Sequence, residues 1–191
     1  MPILRLVKVQ TPALRLRLRA REWRFGAHTF VAVVDDAGRV RRELHGIARG
    51  PGGAQLPSLG GVTPFRREVL WGETWPGRSG FFDESFPSAE LFAGEAEDVQ
   101  ARLVSAERVA AEVNRRAIRY AWPAFAGANS NSYYATLLAG MGLEDRRAPG
   151  ELWAPGLRTP LLEPQLLQAF AGTALKTGVA RTWPAGEIGA G

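Results

Sequence analysis

Apolar residues between positions 96 and 120 return at steps of three and four: Val99, Leu103, Ala106, Ala110, Val113, Ala117 and Tyr120. That spacing lays one stripe along a 3.6-residue helix. Glu95, Glu97 and Asp98 stand at its positive end and Arg115, Arg116 and Arg119 at its negative end, so each sign complements the helix dipole. A scaffold helix over 96–120 is the expectation, ended by Trp122-Pro123-Ala124-Phe125. A different period runs through Leu14-Arg15-Leu16-Arg17-Leu18-Arg19-Ala20-Arg21, where strict alternation predicts one strand with a leucine face inward and an arginine face outward.

Branched and aromatic residues fill 25–34 and predict a second strand that begins at His28. The turn Asp35-Asp36-Ala37-Gly38 follows, with Gly38 suited to a left-handed position, and 39–45 returns as the partner strand. Register decides which face each side chain takes. A two-residue turn would pair His28 with His45. A bulge at Gly38 pairs His28 with Gly46, Phe30 with Leu44 and Val34 with Val40, and gives the better apolar face. The second register is preferred here, and it sets His45 on the face opposite His28 unless a further bulge intervenes. Farther on, 65–71 reads as a strand, 71–77 as a loop, the aromatic segment 81–87 as a pocket lining or core cover, and 164–171 as a short helix with Pro164 in its first turn and Gly172 at its end. The last residues, 183–191, lack periodicity and are expected to form a mobile tail.

The polar cluster Asn129-Ser130-Asn131-Ser132 leads directly into Tyr133-Tyr134-Ala135-Thr136-Leu137-Leu138. Asn and Ser accept the N–H groups that a first helical turn leaves unpaired, so a helix starts here, and Gly140 and Gly142 close it. A hydroxyl in that turn lies at the positive end of the dipole, where developing negative charge is stabilised. The plain alternative is that the cluster only caps.

Asn-Ser-Asn-Ser-Tyr before an apolar helix resembles the segment that opens the nucleophile helix in circularly permuted papain-like enzymes, a superfamily that includes the lecithin:retinol acyltransferase group and the PPPDE peptidases. A strand bearing the catalytic His precedes that helix in the permuted order, and His28 precedes it here. The resemblance implies an α+β domain over 1–191, an antiparallel sheet of N-terminal strands with the nucleophile helix packed across it. It implies acyl transfer at an amide, thioester or ester bond, with Ser130 as nucleophile, His28 as base and His45, more weakly, as the residue orienting it. Asn129, Asn131 and Ser132 would cap the helix or serve the oxyanion. No cofactor is implied.

The chain has no cysteine, and this is its departure from the family. A thiol is readily ionised by a paired His and a helix terminus, whereas a serine hydroxyl needs a base within about 2.6–3.2 Å. One expectation is therefore a serine hydrolase or acyltransferase; the other is a fold that has lost its chemistry and serves as a binding or assembly module. Without cysteine there is no disulfide framework, and two histidines do not make a structural zinc site. No stretch reaches the ~20 apolar residues of a membrane span, and the first residues lack a signal-peptide core. The default compartment is the cytoplasm, unless a route without a cleavable signal exports the chain. Net charge is +5. The row Arg15, Arg17, Arg19, Arg21 could meet phosphates, acidic protein or anionic headgroups, or simply protect an edge strand; nothing interleaves aromatics with it as a nucleic-acid platform would. A basic, cysteine-free chain of this kind would suit a bacterial effector or toxin domain with an acyl- or peptide-type substrate.

Overall fold

The computed structural model describes residues 2–18, 21–55, 68–121 and 127–176. The expected tail at 183–191, Arg19, the break at 122–125 and the first part of the expected 65–71 strand lie outside them. Five strands, β1 (Ile3–Leu18), β2 (Arg21–Asp35), β3 (Val40–Arg49), β4 (Val69–Pro76) and β5 (Ser88–Glu95), form one antiparallel sheet in the order β4-β3-β2-β1-β5. Three α-helices follow: α1 (Ala96–Arg116), α2 (Ser130–Met141) and α3 (Pro164–Lys176). The chain is thus α+β, with strands first and helices after.

The helices gather on one face of the sheet. Leu6, Val31, Val33, Leu44 and Leu70 supply the sheet side of that core; Leu103, Val109 and Val113 of α1, Tyr133, Leu137 and Met141 of α2, and Leu167 of α3 supply the other. Helix α2 sits close because two glycines stand beneath Tyr133. A Cβ added at Gly46 would lie 2.5 Å from Tyr133 Cβ, and one at Gly72 would lie 2.5 Å from its hydroxyl. Glycine inside a strand marks such close approach. The opposite face holds a smaller cluster of Val9, Phe30, Ala32, Val34 and Phe86.

Four expectations are corrected. The alternating run 14–21 is not one strand: the chain reverses between Leu18 and Arg21, which pair with each other. Residues 71–76 belong to β4 rather than to a loop. Helix α1 stops at Arg116, where Ala117 turns left-handed at φ 47°, and Ile118 and Tyr120 then bond to Leu70 and Glu68 alongside β4. Helix α3 runs through Gly172 to Lys176. Gly142 does close α2, at φ 68°, with Gly140 inside the helix.

Candidate functional site

Asn129 caps α2 in a reciprocal arrangement. Its Oδ1 accepts the N–H groups of Asn131 at 2.9 Å and Ser132 at 3.2 Å, while the Asn129 N–H donates to Ser132 Oγ at 2.8 Å. This is a capping box, and it satisfies donors that would otherwise be orphaned. Tyr133 N–H donates to the Asn129 carbonyl at 3.0 Å. The hydroxyl and N–H of Ser130 hydrogen-bond to the Tyr120 phenol; burial nonetheless pushes that phenol above its ordinary value, and the nearby Glu68 carboxylate adds to the rise. Every donor of the first turn is therefore engaged within the chain. All four residues, Asn129 to Ser132, are buried.

Asn131 does something the sequence did not announce. Its Oδ1 accepts from Thr29 N–H at 3.0 Å, and its Nδ2 donates to the carbonyls of Ala27 at 2.9 Å and Pro155 at 3.2 Å. Strand β3 pairs with β2 only from Val31 onward. Where β3 leaves, the Asn131 amide takes up the backbone groups on either side of His28 and stands in for the missing strand.

The second cluster lies on the other face of the sheet. The β2–β3 register shifts between Val33 and Val34: Val34 faces Val40 as expected, but Val33 faces Arg42 and Val31 faces Leu44. One extra residue near Arg41 moves every later side chain of β3 to the opposite face. Asp35 holds this bulge in place, accepting from Arg39 N–H at 2.8 Å, Arg39 Nε at 2.9 Å and Arg41 Nε at 2.9 Å. The expected pairings of His28 with Gly46 and Phe30 with Leu44 are thereby overturned. His45 comes to the face of His28, with its ring 4.3 Å from Phe30 and 4.3 Å from Trp75.

A hydrogen-bonded chain results. His28 Nε2 lies 3.0 Å from His45 Nδ1, and His45 Nε2 lies 2.8 Å from Glu43 Oε2. Ser79 donates to Glu43 through its N–H at 2.9 Å and through its hydroxyl. Glu43 and His45 are fully buried, His28 is half-buried, and Phe81 leans over both imidazoles at 5.2 and 5.6 Å. Burial alone would push the Glu43 carboxyl up, but hydrogen bonds from His45 and Ser79 outweigh it and hold it below the usual carboxylate range. An ionised Glu43 only accepts, so His45 carries its proton on Nε2 and accepts at Nδ1, and His28 must donate from Nε2. The other ring nitrogen of His28, Nδ1, is left with its lone pair. Glu43 was legible as a partner through its two-residue spacing from His45, which puts both on one face of a strand; Ser79 carried no such signal.

No hydrogen bond joins Ser130 to His28 among the described residues; the cap of α2 reaches β2 through Asn131 instead. His28 stands with Phe30 and His45, whereas α2 covers the face of Gly46 and Gly72. Among the described residues, no group of three or more His, Asp or Glu side chains has the arrangement of a metal site. No helix of the described residues is long and apolar enough to cross a membrane. No family model matches this chain, and neither a curated protein nor a solved structure matches it.

Burial, with His45 beside it, lowers the His28 imidazole to about 3. An unfolded chain binds that proton near the ordinary value of 6.5, so the folded state is fully favoured above pH 6.5 and loses stability as pH falls toward 3. Glu43 works in the same direction below its ordinary value of 4.5, because its folded carboxyl stays ionised to lower pH. Unfolding free energies from urea titrations between pH 8 and pH 4.5 are expected to fall with a slope of up to about 1.4 kcal/mol per pH unit below 6.5. In His28→Gln the part between pH 6.5 and 4.5 should flatten. An unchanged slope in that variant would assign the acid sensitivity elsewhere.

Proposed function

We propose that this chain is a binding or assembly module on an α+β scaffold with the order of a permuted papain-like domain, its serine serving the cap of α2 rather than attack. The observation that carries this reading is that His28 stands with His45 on the face of the sheet opposite the one that Tyr133 of α2 covers. The donors of the α2 first turn, which an oxyanion would need, are already bonded within the chain. Ser130 itself contacts Tyr120 rather than an imidazole.

A second reading keeps acyl chemistry and moves it to the other face. It is favoured by the Glu43–His45–His28 chain, which fixes the tautomer of His28 and puts the accepting lone pair on Nδ1, while burial makes that imidazole a weak base and so limits the rate it could support. Water would then be the nucleophile: His28 takes its proton as the oxygen attacks an ester, thioester or amide carbonyl, and the leaving group departs with that proton. The two readings separate in one experiment. A fluorophosphonate labelling assay and an ester and thioester hydrolysis panel are run on wild type, Ser130→Ala and His28→Gln. The module predicts no label and no turnover in any of them. Turnover that survives Ser130→Ala and vanishes in His28→Gln would establish the second reading instead, and labelling abolished by Ser130→Ala would overturn both.

A further inference from the structure

The ammonium of Lys8 plays no part in either reading above. Its side chain is fully buried in β1, and Nζ lies 2.6 Å from Glu151 Oε1. The Asp145 carboxylate presents both oxygens to the same nitrogen, Oδ1 at 3.0 Å and Oδ2 at 3.2 Å. Cγ stands between those oxygens and so within about 3.5 Å of Nζ, a near-attack separation. The Tyr134 hydroxyl donates to Asp145 Oδ1 at 2.7 Å. Burial, together with that bond, pushes the phenol far above its ordinary value, so it stays a donor. Apolar side chains of similar volume would hold the connection after α2 as well, because burying an ion pair costs about what its attraction returns. The geometry points to an amide bond between Lys8 Nζ and Asp145 Cγ, closed within the folded chain, with Glu151 moving the protons and Tyr134 stabilising the oxyanion. Neither His28 nor Ser130 takes part, so the bond stands apart from both readings of function.

An ammonium has no lone pair, so a proton must leave Nζ before it can attack. Glu151 Oε1 is placed to take that proton, and Asp145 Oδ2, bonded to the same nitrogen, to receive it in turn. The Nζ lone pair then forms the C–N bond at Cγ, and the charge that gathers on Oδ1 meets the Tyr134 hydroxyl. The Cγ–Oδ2 bond breaks, and a second proton from Nζ, again through Glu151, lets Oδ2 depart as water. Of the ammonium hydrogens, one stays on the amide nitrogen and the others leave in the water. Glu151 ends as it began, and no oxidant or cofactor enters. Lys8 is sealed from solvent while the Asp145 side chain is 36% exposed, so the released water has a way out. The ion pair is the state in which the chain folds, and the bond closes afterwards. It ties β1 to the connection after α2 across 137 positions of sequence and so removes a large closure entropy from the unfolded chain.

Intact-mass spectrometry of the full chain, sampled at intervals at neutral pH until the mass is constant, tests the bond. Wild type is expected to settle one water below the mass of its sequence. A tryptic digest should then give a branched peptide joining residues 6–15, uncut at Lys8, to residues 120–146. Asp145→Ala and Lys8→Met should keep their full mass. Glu151→Gln and Tyr134→Phe should close the bond about a hundredfold more slowly, with far-UV circular dichroism checking that the fold is intact. Wild type that holds its full mass would leave an ion pair only and overturn the inference. So would water lost without a branched peptide, the mark of a cyclic imide at Asp145. A branched peptide that persists in Asp145→Ala would overturn it as well, by moving the bond to Glu151. Closure at the wild-type rate in Glu151→Gln or Tyr134→Phe would overturn the role given to that residue.

Discussion

Replacing Lys8 with methionine is expected to destabilise the fold by about 3–5 kcal/mol, the range seen when one partner of a buried ion pair is removed. Lys8 is fully buried in β1, on the helix-bearing face. Its Nζ donates to Glu151 Oε1 at 2.6 Å, to Asp145 Oδ2 at 3.2 Å and to the Arg146 carbonyl at 3.2 Å. Tyr134 donates to Asp145 Oδ1 at 2.7 Å, and Gln10 reaches both Glu151 Oε1 at 3.4 Å and the Leu152 N–H at 2.9 Å. One ammonium thus holds the connection after α2 against the sheet. Without it, two carboxylates share a site with no cation between them, and a backbone carbonyl loses its donor. Urea denaturation gives the loss directly. Lys8→Met combined with Glu151→Gln should recover part of it, because the repulsion is gone. A loss under about 1 kcal/mol would mean that solvent reaching Asp145, whose side chain is 36% exposed, screens the network.

Asn131→Ala is the second large effect, expected at roughly 3 kcal/mol. The substitution removes the acceptor of Thr29 N–H and the donor to Ala27 and Pro155. It leaves buried backbone groups unsatisfied at about 1–3 kcal/mol each, partly offset by local relaxation. Asn131→Asp should not rescue it, since a carboxylate would face the Ala27 and Pro155 carbonyls. Ser130→Ala, one residue earlier on the same turn, should fall below about 1 kcal/mol, because it removes a single hydroxyl contact to Tyr120. Thermal or urea midpoints of the three variants test the ranking. A Ser130→Ala loss equal to that of Asn131→Ala would show that the first turn acts as one unit and that Asn131 has no separate part as a strand substitute.

Where the physics was local, the sequence could be read. Asn129 through Ser132 announced a cap, and Asn129 is one; Asp35 to Gly38 announced a turn, and Gly38 has φ 78° there. Valine, leucine and alanine at helical spacing announced α1. The side chain of Asn131 bonding to β2 depends on a partner 102 residues away, and no local pattern reports such a contact. The reversal after Leu18 was hidden because Arg19-Ala20 contains none of Gly, Pro, Asn or Asp, the residues by which turns are recognised. The face of His45 was misread because one bulge near Arg41 flips a strand, and that bulge rests on a three-way grip by Asp35 rather than on a glycine. Gly72 and Pro76 made 71–77 look like a loop. In the fold, Gly72 is a strand residue whose missing side chain makes room for Tyr133.

Strand β4 lies at one border of the sheet, and its outward positions are 70, 72, 74 and 76. Leu70 N–H donates to the Ile118 carbonyl at 2.7 Å, and the Asn114 side chain takes both the N–H and the carbonyl of Gly72, at 2.7 and 3.0 Å. Pro76 has no N–H to offer. No continuous ladder is left on that side for an incoming strand. A filament that grows by stacking sheets edge to edge needs two open borders per subunit, and at the β4 border an incoming strand would have to displace Asn114 and the 118–120 segment first. On that side, strand pairing in this protein terminates rather than propagates.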